Sequence, residues 1–127
     1  MRRRIVNAAD APQAAGGYAQ AVEVREAGRQ LFVSGQVPVT ADGKLPEGFE
    51  AQARQAWANL EAQLRAAEMT LDNLVKVTVF LADRAYALPN RAVRAAVLGD
   101  RQVALTVVIC GIFDAEWLLE IEAVAMD

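Results

Sequence analysis

The stretch Val75-Lys76-Val77-Thr78-Val79-Phe80-Leu81 alternates with period two and is rich in β-branched side chains, which predicts a strand. Ahead of it, from Phe49 to Met69, the residues Phe49, Ala53, Ala56, Trp57, Leu60, Leu64 and Ala67 recur at three- and four-residue steps and predict a helix with one apolar face. The other helix face pairs Glu50 with Arg54 and Glu61 with Arg65, acid first at i,i+4. That order adds about 0.2–0.5 kcal/mol per pair and marks a face turned to solvent.

Toward the N-terminus, Val22 and Val24 alternate with Glu23 and Arg25, Gly28-Arg29 interrupts, and Leu31-Phe32-Val33 resumes, the pattern of a β-hairpin. The second of these strands, the long helix and Val75–Leu81 then form a strand–helix–strand crossover. Toward the C-terminus, Asp83 opens a helical turn through Tyr86, Pro89 begins a helix to about Leu98, and Gly99-Asp100 ends it. Strands are expected over Val103 to Cys110 and Trp117 to Met126, joined by the loop Gly111 to Glu116. Asn7 to Gly17 and Pro38 to Pro46 are connections. The order is ββαβαββ, with Ile5-Val6 as a leading edge strand. This is an α+β fold, a mixed sheet of five to six strands with two helices on one face. Two helices cannot cover both faces, and the open face carries apolar residues such as Val124 beside Glu120 and Glu122, so a second copy of the chain is expected to bury it.

At 127 residues, one domain spanning 1–127 is expected. Apolar residues make up 54% and charged residues 23%, which excludes a disordered or low-complexity chain. There is no histidine, so Ser-His-Asp and Cys-His catalysis and histidine metal ligation are excluded. Cys110 is the only cysteine, so no intrachain disulfide and no thiolate zinc site can form, and neither a metal nor a cofactor is implied. Met1 to Asn7 is basic but lacks the apolar run of a signal peptide, and Val103 to Phe113 is far too short to span a membrane. A cytoplasmic location and no membrane partner are therefore expected. With net charge −3 and pI near 5.0, nucleic acid is disfavoured as a partner, and Arg2, Arg3 and Arg4 read as a solvated end.

Several segments resemble the YjgF/RidA family of small trimeric proteins, often described as enamine/imine deaminases. Gly16-Gly17-Tyr18-Ala19-Gln20-Ala21-Val22 is similar to the family's Gly-Pro-Tyr-Ser-Gln-Ala stretch, and Leu31 to Pro38 to its second strand and following turn. Asn59-Leu60, Val75 to Leu81, Asn90 and Leu119-Glu120-Ile121-Glu122-Ala123 extend the likeness along the whole chain. The resemblance implies a chorismate-mutase-like subunit, a homotrimer whose sheets face inward, and small-molecule clefts between subunits. It also implies cleft positions at Tyr18, in a Ser34-Gly35 turn, at Asn90 and at Glu120, with Leu105 and Val107 lining the penultimate strand. Family deaminases carry Pro-x-Arg-Ser at the start of that strand, where the arginine grips the substrate carboxylate. Counting back from Glu120 without a gap puts Val103, Leu105 and Thr106 at the proline, arginine and serine. Leucine offers no planar pair of donors, so 2-imino acids should not be substrates. Arg101 lies in the loop before the strand and is not expected to take the arginine's place. Ala19 stands for a family serine, and Phe113-Asp114 stands where Leu-Pro is common.

Glu120 is read as the candidate catalytic residue, a carboxylate that orients a hydrolytic water, and Glu122 as structural. Tyr18 either lines the pocket or packs a loop on a subunit edge. Ser34 has no histidine to activate it and serves as a hydrogen-bond partner. Asn90 either bonds a ligand or fixes the start of its helix, the latter being the commoner use of asparagine. Cys110 reads as a buried inert thiol. Leu105 marks a pocket for neutral or cationic molecules, such as a non-carboxylate imine or enamine, or else a pocket that has lost its function. A non-catalytic binding module or trimeric scaffold is the alternative.

Overall fold

The computed structural model describes residues 1–127. It contains β1 (Arg2–Val6), β2 (Ala21–Arg25), β3 (Gln30–Gln36), α1 (Phe49–Ala66), β4 (Leu74–Leu81), α2 (Ala87–Leu98), β5 (Ala104–Ile109) and β6 (Leu119–Met126). The last four strands in space run β3-β6-β4-β5, with β6 antiparallel to both neighbours and β4 parallel to β5. The β3–α1–β4 crossover thus leaves a slot that β6 fills, and β4–α2–β5 is a second crossover between adjacent strands.

The helix and strand assignments from the sequence hold, with shifted ends. Helix α1 stops at Ala66, short of Met69, because Glu68 turns to φ 59° and Met69 N–H returns to Leu64 O at 2.8 Å. Its Glu50–Arg54 and Glu61–Arg65 pairs form at 3.1 and 3.9 Å. Helix α2 begins at Ala87, two residues before Pro89, because the Asp83 carboxylate caps Ala85 N–H and the turn Arg84–Tyr86 runs straight into it. Proline is harmless there, since first-turn N–H groups have no helical partner. Gly99, at φ 61°, ends the helix.

Two expectations need correction. The β2–β3 hairpin does not form: β2 pairs antiparallel with β1, and β3 pairs with β6. The six strands therefore make a two-stranded ribbon and a four-stranded sheet, not one sheet of five to six. Local causes are visible. Glu26 adopts φ 59°, and Gly28 and Arg29 bond to Asp127 at the end of β6, which draws the chain away from a tight turn. The leading strand runs over Arg2–Val6 and is longer than Ile5-Val6; its Arg3 donates to the carbonyls of Asp72 and Leu74, pinning the ribbon to the start of β4. Arg3 is therefore a half-buried anchor, while Arg2 and Arg4 form surface ion pairs with Glu26 and Glu23.

The core lies on one face of the large sheet. Val77, Val79, Leu81, Leu119, Ile121 and Ala125 are fully buried against Trp57, Leu60 and Leu64 of α1 and Val93 and Leu98 of α2. Phe49 stacks on Tyr86 with ring centroids 4.7 Å apart, tying the start of α1 to the turn before α2. The opposite face has no helix. Lys76, Thr78, Phe80, Glu120 and Val124 remain part-exposed there, and Phe32, paired across from Val124, is 72% exposed. No helix is long and apolar enough to cross a membrane.

Candidate functional site

Strand alternation decides where each candidate side chain points. Glu120 pairs with Phe80, which pairs with Val108, and these share the open face. Leu105 pairs with Val77 and Val107 with Val79, residues of the helix-covered face. Glu120 and Leu105 therefore lie on opposite faces of one sheet. The chain presents two half-sites, not one pocket.

The first half-site is built around Glu120. Its carboxylate makes no hydrogen bond or ion pair within the chain and borders a concavity of about 250 Å³ lined by Phe80, Cys110, Gly111, Ile112 and Phe113. Gly35 lies against it: a Cβ there would stand 1.8 Å from Glu120 Oε2, so the carboxylate occupies space that only glycine leaves open. Ser34 and Gly35 are not in a turn. They lie within β3, where the register with β6 breaks between Val33 and Gln36. A break of this kind re-aims side chains without ending the strand. Cys110 is half-buried and lines the same concavity, so the expectation of a buried thiol is also corrected.

The wall of this concavity is held from a distance. The buried amide of Gln52 on α1 donates to Glu116 O at 3.2 Å and accepts from Leu118 N–H at 2.8 Å, and Asp114 turns the chain by accepting from Glu116 N–H at 2.8 Å. Asn59 likewise donates to Val37 O and Val39 O at 2.8 and 2.9 Å, strapping the segment after β3 onto α1. Among residues quoted for the family resemblance, Asn59 thus has a structural duty. Phe113 is 95% exposed at the rim, tilted against Trp117 with centroids 6.5 Å apart.

The second half-site gathers at the corner of α2 and β5. Ala19 N–H bonds to Val103 O at 2.9 Å and Ala19 bridges Ala104, which brings the Gly16-Gly17-Tyr18 segment alongside β5. Asn90 is 2% exposed on α2, and its buried Oδ1 has no partner. It does not cap its helix, whose N-cap position is Tyr86, and no backbone group bonds to its Oδ1. One turn later, Arg94 is 6% exposed and donates from Nη2 to Gly16 O at 3.0 Å. No carboxylate pairs with it. Burial and the neighbouring Arg91 guanidinium push the Arg94 pKa down, while Tyr18 pulls weakly the other way. Leu105 is half-buried against the core on this side, and Val107 is 40% exposed farther along β5. Arg101 is engaged elsewhere, bonding Asp72 Oδ1 at 2.6 Å and Leu98 O at 3.2 Å.

Reading from the sequence missed Arg91, Arg94 and the Gln52 tether. A signal existed for Arg94: Asn90 and Arg94 are spaced i,i+4, so they share a helix face.

Fold and half-sites together define a class: a small α+β protein with one finished sheet face, one open face, and candidate chemistry divided between them. The chain belongs to the family described as Endoribonuclease L-PSP, whose profile matches residues 8–127, and this is the YjgF/RidA group that its motifs resemble. It is 36% identical over 118 residues to Protein HMF1 of Saccharomyces cerevisiae, covering 92% of this chain and 89% of that protein. It is 42% identical over 83 residues to the 2-iminobutanoate/2-iminopropanoate deaminase of Mus musculus, covering 64% of this chain and 59% of that one. Among solved structures, YyfB of the Rid protein family from Yersinia pestis, described as a protein of unknown function, matches with a TM-score of 0.85 at 31% identity over 100% of both chains.

Proposed function

We propose that the protein is a homotrimeric hydrolase of a small imine or enamine, with each cleft formed where the Glu120 half-site of one copy meets the Tyr18, Asn90 and Leu105 half-site of the next. The observation that carries this reading is Glu120: an unpaired carboxylate held over Gly35 in a largely apolar concavity. An acceptor so placed is suited to orient water. In the proposed step, water oxygen attacks the imine carbon while its proton passes through Glu120 to the nitrogen. The C=N π pair moves to that nitrogen. Collapse of the resulting carbinolamine, whose hydroxyl proton passes through the same carboxylate to nitrogen, then breaks the C–N bond, forms C=O and releases ammonia, leaving the carboxylate as it began.

Recognition differs from that of the 2-imino acid deaminases. Leu105 and Val107 offer hydrocarbon on β5, so nothing there grips a carboxylate on the reacting carbon, and the substrate is an imine or enamine without one. The lone Cys110 fits a reducing cytoplasm as the place of action.

The test is a screen of imines and enamines that carry no carboxylate on the reacting carbon, with ammonia detection and thermal shift run together. Turnover that vanishes in Glu120→Ala, with an unchanged circular dichroism spectrum, supports the reading. Binding without consumption of any ligand favours a binding module instead. Rapid hydrolysis of 2-iminobutanoate, well above the spontaneous rate, contradicts the proposed specificity.

A further inference from the structure

We infer that α2 holds an oxyanion seat, built by Arg94 with Arg91, which receives an acidic group carried by the ligand away from its reacting carbon. This rests on the cleft reading above and deepens it. Arg94 is almost entirely buried, yet its only partner is one carbonyl, Gly16 O. A guanidinium has five N–H donors, and burying it without a carboxylate is costly. Arg94 Nε and Nη1 donate to nothing in the chain and are not wholly buried.

The surroundings oppose the obvious alternative, that Arg94 only staples the Gly16 loop. A staple needs no second cation, yet the Arg91 side chain comes to the same place. A Cβ built on Gly16 would stand 3.3 Å from Arg91 Nε and 3.5 Å from Arg94 Nη2. Two guanidiniums converging on one glycine repel each other, and a bound anion relieves that repulsion. Gly16 and Gly17 sit at φ 93° and 83°, a region that glycine enters without strain, and at Gly16 the absence of a Cβ leaves room for both guanidiniums.

Two planar forks suit a carboxylate or a phosphate alike. The cation missing from β5 is therefore present on α2, and the two positions differ in which atom of the ligand bears the charge. A carboxylate on the reacting carbon would need a donor on β5, whereas a group at the far end of the ligand meets Arg94.

The seat is tested by binding, without turnover. Acetate, butyrate and inorganic phosphate are titrated into the full-length protein by calorimetry, with chloride at matched ionic strength as the comparison, while the Arg94 Nε–H resonance is followed by NMR. Saturable binding of acetate or butyrate is expected, with a shift of the Arg94 resonance that chloride does not reproduce. Arg94→Met should weaken binding by at least about tenfold, and the exposed Arg91→Gln by about threefold. Phosphate binding more tightly than butyrate would assign the acidic group as a phosphate; the reverse assigns it as a carboxylate. Should Arg94→Met fail to fold, Arg91→Gln and the wild-type resonance still decide. No saturable binding at tens of millimolar anion, or equal binding in both variants, overturns the seat. A protein that binds butyrate through Arg94 yet hydrolyses nothing upholds the seat and refutes the hydrolytic reading alone.

Discussion

The two faces of the large sheet are built from the same strands and meet opposite fates. On one, Val77, Val79, Leu81, Leu119, Ile121 and Ala125 disappear under α1 and α2; on the other, Lys76, Thr78, Phe80, Glu120, Glu122 and Val124 all keep some exposure. The covered face is uniformly apolar and needs nothing beyond its own chain. The open face mixes Phe32, Phe80 and Val124 with Lys76 and Glu122, where Lys76 donates to Thr106 at 2.6 Å and burial already lowers its pKa. Such a surface is too apolar to be left in water and too polar to be a core, and in the proposed trimer other copies of the chain cover it. The division also explains the candidate site: one half sits on the finished side and the other on the unfinished side.

The contrast can be broken most severely from the covered face. Leu60→Ala empties a fully buried position between α1 and the sheet and should destabilise the protein by about 2–5 kcal/mol in chemical denaturation. Next in size, Val124→Lys adds a second cation directly opposite Lys76 on the open face. It should raise the dissociation constant of the assembly by about a hundredfold, read by sedimentation, while circular dichroism stays unchanged. Gly35→Ala is a sharper cut, because the atoms nearest its new Cβ are all in the Glu120 side chain. Turnover should fall by about 10²-fold with stability altered by less than about 1 kcal/mol, since a flexible side-chain end can swing away and only its alignment is lost.

The smallest effect lies at the margin of the sheet. The hydrogen bond from Arg29 holds the Asp127 carboxyl below the usual carboxylate range. A folded pKa below the unfolded one means that this pair stabilises at neutral pH and that the contribution is lost as pH falls through the folded value. Asp127→Asn should therefore lower the melting temperature slightly at pH 7 and leave it unchanged at pH 2, as thermal denaturation at the two pH values will show.

Much of this was legible in the chain itself. Period two marked the strand at Val75–Leu81 and period 3.6 the long helix, start and stop residues marked the second helix, and the alternation of Glu120, Glu122 and Val124 marked the open face. What escaped reading depended on distant partners. Nothing near Gly28 says that Asp127 will hold it, so the ribbon of β1 and β2 looked like a hairpin of β2 and β3. Ser34-Gly35 looked like a turn because the bulge exists only against β6. Asn90 looked like a cap because its isolation is a property of packing, and Leu105 drew attention to a missing cation while Arg94 supplied one from another element.

In the proposed assembly the open face is covered by two further copies of the chain. Light scattering coupled to size exclusion at micromolar concentration measures this directly. A mass of three times 13.7 kDa is the predicted result, and a stable species of 13.7 kDa would contradict it.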